Sequence, residues 1–186
     1  MINNEYSVWV ADCEFGLLDY TDRYSSGIVH RRCIMSHKHI INAQVSYPGE
    51  SDHLPDVLYM SSPLISKPFY DFILNLKLNY LSLSETKIEG IESKFFYFKV
   101  ANYLSNIDKA NTDFKERKGN IKSIETLKLC NSLGKIPLKK RLVFKVGHSS
   151  VIVIHNSLVE EIIKLGFTGV SFTPVLEWDY WINTRK

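Results

Sequence analysis

The stretch Val153-Ile154-His155-Asn156-Ser157-Leu158-Val159-Glu160-Glu161-Ile162-Ile163-Lys164-Leu165-Gly166-Phe167-Thr168-Gly169-Val170-Ser171-Phe172 changes its hydrophobic period twice. A β-branched run closes at His155. Leu158, Ile162 and Leu165 then recur at the spacing of one helix face. Ser157 and Glu160 stand three apart, which predicts a capping box, and Gly166 stands where a helix exits through left-handed backbone. Phe167 to Phe172 alternates as a strand does. The reading is strand, capped helix, strand.

The same grammar extends outward. Arg141 to Val146 and Val151 to His155 predict two strands joined at Gly147-His148-Ser149. Tyr6 to Ala11, Ile28 to Ile34, Ile40 to Val45, Lys94 to Val100 and Ile121 to Leu129 add further strands, and Leu54 to Tyr59 adds a short extended piece. Ser46 to Ser51, with Pro48-Gly49, predicts a turn. A helix is expected over Ser66 to Leu78, where Phe69, Phe72, Ile73 and Leu76 share a face and Ser66 caps the first turn. Leu83 to Glu92 and Asp108 to Asn120 are polar and read as linkers. The expected class is α+β, a mainly antiparallel sheet with two principal helices.

The 186 residues suit one modest domain, with residues 1–58 as an N-terminal lobe. Apolar residues form 45% and charged ones 23%, a globular balance that excludes a largely disordered chain. Cys13, Cys33 and Cys130 form no CxxC pair, which argues against a disulfide scaffold. The first residues lack a signal-peptide pattern and no apolar run approaches a membrane span, so a cytoplasmic location without a membrane partner is expected.

Catalytic and metal signatures are weak. His30, Cys33, His37 and His39 are the densest set of ligand types. Their spacing fits no zinc finger, and Arg31, Arg32 and Lys38 would repel a cation. No G-x-S-x-G elbow, P-loop or G-x-G-x-x-G occurs. Cys13 lies between Asp12 and Glu14, which disfavours a thiolate. Ser149 or Ser150 beside His148 or His155 is a pairing that any serine-rich chain with six histidines offers. No enzyme activity, metal, cofactor or small-molecule substrate is expected.

Charge says more. The net +3 hides a segment, residues 109–145, with eleven basic and three acidic side chains, so the remainder carries −5. Asp12, Glu14, Asp19 and Asp22 form an acidic group that could meet a partner. The run Trp178-Asp179-Tyr180-Trp181 places aromatics beside a carboxylate, as interface anchors do. These eight residues are the candidate partner-binding set. Nucleic acid is a less favoured partner, since no aromatic ladder runs through the basic segment.

From Tyr59 onward the order of features resembles immunity proteins of bacterial polymorphic-toxin systems, in a group first described as a domain of unknown function. The resemblance rests on a Ser-initiated helix (Ser62 to Leu78), the aromatic strand Phe95 to Asn102, the step Ile107-Asp108, the Ile136-Pro137 turn and Leu142-Val143-Phe144-Lys145. Its closing element is the stretch quoted first. The resemblance implies one immunity-type domain that binds and neutralises a cognate toxin domain and carries no catalytic motif. The other reading is a nucleic-acid-binding factor or small enzyme acting through residues 109–145.

Overall fold

The computed structural model describes residues 2–12, 15–29, 39–49 and 53–183. The first half of the chain runs β1 (Tyr6–Ala11), β2 (Gly16–Tyr20), α1 (Arg23–Val29), β3 (Ile41–Pro48), β4 (Val57–Tyr59), β5 (Pro63–Ser66), α2 (Lys67–Asn75), β6 (Leu81–Ile88) and β7 (Ile91–Val100). The second half runs β8 (Tyr103–Leu104), β9 (Phe114–Arg117), β10 (Asn120–Ile124), β11 (Val143–Val146), β12 (Ile152–His155), α3 (Asn156–Lys164), β13 (Val170–Pro174) and α4 (Tyr180–Asn183). The fold is α+β with mostly antiparallel pairing, and α2 and α3 are its principal helices.

Two compact units form. One comprises Met1–Val10, Asn102–Gly166 and Ser171–Lys186, the other Ala11–Ala101 and Phe167–Val170. A division between residues 58 and 59 would fall inside β4.

The first unit is built on a five-stranded sheet in the order β13-β1-β12-β11-β8. Tyr6 pairs with His155 and Val8 with Val153, both antiparallel, while β11 and β8 run parallel. Alternation puts Tyr6 and Val8 into a core with Phe144, Val146, Val153 and Leu133. The hairpin β9–β10 turns at Lys118 and Gly119, both at positive φ, the backbone of a tight two-residue hairpin turn. Ile121 and Ile124 of that hairpin are buried in the same core.

The second unit is a closed six-stranded barrel, β2-β3-β6-β7-β5-β4. The β3–β6 and β2–β4 pairings are parallel and the other four antiparallel. Leu18, Ile41, Leu64 and Phe95 belong to one of its apolar clusters. Ser66 caps α2, accepting a hydrogen bond from the Phe69 amide at 3.4 Å, and Phe69 and Ile73 are buried. Phe167 stacks on Phe69 with ring centroids 4.3 Å apart.

Several local expectations are corrected. Leu83 to Glu92 is no linker. It belongs largely to the hairpin β6–β7, where Ser84 and Thr86 are buried opposite Tyr97 and Phe95. Small hydroxyl side chains fit beside large rings, and their polarity hides the strand. Asp108 to Asn120 likewise contains β9. Of the strand expected over Ile28 to Ile34, Ile28 and Val29 instead end α1, because Asp22 nucleates a helix by accepting the Ser25 amide at 2.7 Å, and residues 30–34 lie outside the described residues. Of the turn expected over Ser46 to Ser51, Ser46 to Pro48 instead end β3, and residues 50 and 51 lie outside the described residues. Ser62 does not start a helix, since β5 intervenes before α2.

The closing element also shifts. His155, not Ser157, caps α3, its Nδ1 accepting the Ser157 amide at 3.2 Å. Leu165 is exposed, and Val159 joins Leu158 and Ile162 in burial. Gly166 does take φ +73°, as an exit glycine must. Phe167 to Gly169 lie outside β13, because Phe167 and Thr168 are spent on contacts with α2 and β4.

Candidate interaction surface

The aromatic tail splits by burial. Trp178 is 6% exposed and packs in the core of the first unit with Val175. Asp179 then caps the short helix α4, its Oδ1 accepting the amides of Trp181 at 2.8 Å and Ile182 at 3.2 Å. Beyond it, Tyr180, Trp181 and Ile182 are 39%, 51% and 63% exposed. Apolar bulk on this scale is displayed at the cost of leaving it in water, up to roughly 1.5–3 kcal/mol for each large side chain not buried. Trp178 anchors the turn that displays its neighbours.

This turn is fastened to the end of β10. The Tyr180 amide donates to the Glu125 carbonyl at 2.9 Å, and Thr126 and Asp179 form an isolated bridge. The Trp181 indole Nε1 donates to Glu125 Oε2 at 3.4 Å. Glu125 Oε1 meets Lys115 Nζ of β9 at 3.2 Å. One carboxylate therefore joins the aromatic turn to the basic hairpin. The sequence singled out the aromatics and the basic stretch around Lys115, but not Glu125 as the group that joins them. The signal for the hairpin was Lys118-Gly119-Asn120, a turn tripeptide inside a segment read as linker.

The basic segment sorts into engaged and displayed cations. Lys109 pairs with Glu116 at 3.1 Å, and Lys115 with Glu125. Arg141 is drawn inward: Nε donates to the Ile136 carbonyl at 2.9 Å, while Nη1 reaches Glu5 at 3.4 Å and the Tyr6 hydroxyl. Burial alone would lower the Arg141 pKa. The bonds to Tyr6 and Glu5 outweigh that and hold it above its ordinary value. Burial raises the Tyr6 phenol in turn. His155 faces the same cluster, with Nε2 3.7 Å from Glu5 Oε2, and burial together with the Arg141 charge lowers its pKa. The imidazole is thereby kept neutral, free to accept at the start of α3.

The acidic candidates belong to the second unit. Asp22 is committed locally: its carboxylate accepts from the Ser25 amide and hydroxyl and from Asn42 Nδ2 at 3.1 Å, which lowers its pKa. Asp19 is exposed on β2 and accepts the Tyr20 amide at 2.7 Å. Asp12 is half-buried just after β1, and Glu14 lies outside the described residues. Of the metal-type set, His30, Cys33 and His37 also lie outside them, and His39 Nδ1 lies 3.2 Å from the Tyr24 hydroxyl. Among the described residues, no three His, Cys, Asp or Glu side chains are grouped to hold a metal ion, and no helix is long and apolar enough to cross a membrane.

Comparison with protein-family models and with curated proteins gives no match.

Proposed function

We propose that this chain is a bacterial immunity protein that binds a cognate toxin domain in the cytoplasm and neutralises it, protecting the producing cell. The observation that carries the reading is the division of the aromatic tail. Trp178 is committed to the core, and it holds Tyr180, Trp181 and Ile182 outside it on a capped turn. Rigid aromatic side chains displayed in this way act as anchors in protein interfaces, because they bring large apolar area at little conformational cost. The resemblance of the chain from Tyr59 onward to immunity proteins supplies the class of partner.

Engagement of Arg141 by Glu5 and Tyr6, and pairing of Lys109 and Lys115, disfavour a role as a general nucleic-acid-binding stretch for residues 109–145. The test is co-expression with the toxin-bearing gene beside this one. The expected result is restored growth and co-purification of the two products. Continued killing, with no complex recovered, would refute the reading.

A further inference from the structure

We infer that the toxin face met by this chain is acidic around an apolar pocket, and that the strip from Trp181 along the β9–β10 hairpin recognises it. The inference rests on the immunity reading and adds the chemistry of the partner.

The strip is continuous in the structure. Trp181 touches Glu125, Glu125 touches Lys115, and Arg117 follows Lys115 on the same strand face, about 7 Å further along. The hairpin ends in the turn at Lys118-Gly119, and Lys122 sits at the register shift between Ile121 and Ser123. Arg117, Lys118 and Lys122 are exposed and have no carboxylate within ion-pair distance among the described residues. Their neighbours Lys109 and Lys115 do have such partners. Three cations on one hairpin, left uncompensated beside compensated ones, fit a surface that brings its own carboxylates. The buried Ile121 and Ile124 hold the hairpin that carries them.

The order of groups along the strip favours a protein over a nucleic-acid strand. Strand binding needs aromatic faces interleaved with cations, so that bases stack while phosphates are neutralised. Here the aromatics sit at one end beside the carboxylates of Glu125 and Asp179, where a phosphodiester would be repelled. The free cations sit at the other end. A folded partner meets that arrangement with a pocket for Trp181 and acidic side chains opposite the hairpin.

The experiment measures association of the full chain with the toxin domain encoded beside it, at about 50 and about 200 mM salt. Arg117→Glu with Lys122→Glu is the test variant; Lys118 is left alone because its left-handed backbone is part of the turn. Lys135→Glu with Lys164→Glu controls for net charge. The test variant is expected to associate about tenfold more slowly and lose most of the salt dependence, with its melting temperature unchanged and the control within about twofold of the parent. If the parent binds the toxin but the test variant binds equally well, the inference falls and the immunity reading stands. If the parent does not bind the toxin, both fall. If the parent binds a single-stranded oligonucleotide and the test variant does not, the strip is a nucleic-acid surface and the inference is overturned.

Discussion

Asp56 and Thr168, 112 residues apart in sequence, hold each other from both sides. The Thr168 amide and hydroxyl donate to Asp56 Oδ2 at 3.1 and 3.2 Å, and the Asp56 amide donates back to Thr168 Oγ1 at 3.1 Å. Asp56 Oδ1 also accepts the hydroxyl of Ser66, the cap of α2, at 2.7 Å. One carboxylate thus ties β4, the first turn of α2 and the segment after Gly166 within the second unit. Replacing Asp56 with Ala is expected to destabilise that unit by about 1–3 kcal/mol, since donors that shared a charged acceptor lose it. Denaturant unfolding of Asp56→Ala, Thr168→Val and the double variant should show coupling, with the double costing less than the sum. Strict additivity would refute the shared role.

Gly169 makes the same attachment possible. Its φ is +73°, and a Cβ there would lie 2.3 Å from the Val57 carbonyl oxygen. Gly169→Ala therefore combines backbone strain with a backbone clash and should cost at least about 2 kcal/mol in thermal or denaturant unfolding. Gly90→Ala is the comparison. It shares a positive φ of +76° but has open space around it, so strain alone is expected there and a smaller loss. Equal losses at the two positions would show that the approach to β4 contributes nothing.

The two tail tryptophans should separate stability from binding. Trp178→Ala empties a buried site and is expected to cost about 3–5 kcal/mol. Trp181→Ala removes an exposed ring and should stay within about 0.5 kcal/mol of the parent in unfolding experiments. The same Trp181 variant should lose at least about tenfold in affinity for the toxin domain, as an anchor residue does. A Trp181 variant that binds normally would move the interface away from α4.

Stability should depend on the protonation of His155. Its pKa is lowered in the folded protein by burial and by Arg141, so the unfolded chain binds this proton more readily. Its contribution is fully present above the unfolded pKa near 6.5 and is lost as pH falls from there through the folded value. Chemical denaturation from pH 8 downward, on the parent and on His155→Asn, checks this. Asn can keep the cap at the start of α3 while removing the titration, so its stability should fall less over that window. Identical pH profiles would show that His155 is not responsible.

Local chemistry was legible wherever it was self-sufficient. The strand Tyr6 to Ala11, the Ser66 cap with the Phe69 and Ile73 face, and the exit glycine Gly166 are decided by neighbours a few residues away, and each stands where its pattern puts it. Class followed from these, because short β-branched and aromatic runs around two amphipathic helices allow little else. Polar strands were not legible. Ser84 and Thr86 look like a linker until Tyr97 and Phe95 cover them from the next strand.

Tertiary structure alone decided the rest. Sequence supplied Trp178 and Trp181 as equal candidates three residues apart. Burial separates them, because only a core assembled from segments as distant as Tyr6, Ile124 and Val153 removes one ring from water. It also supplied a net positive segment without saying which cations were free. Arg141 is spent on Glu5 and Tyr6, 136 and 135 residues away, while Arg117, Lys118 and Lys122 remain exposed on their hairpin. Periodicity and caps act over one or two turns of chain, so the sequence determined the principal helices and the apolar strands. Burial and charge pairing act between segments far apart in the chain, so only the fold could say which residues are left to meet a partner.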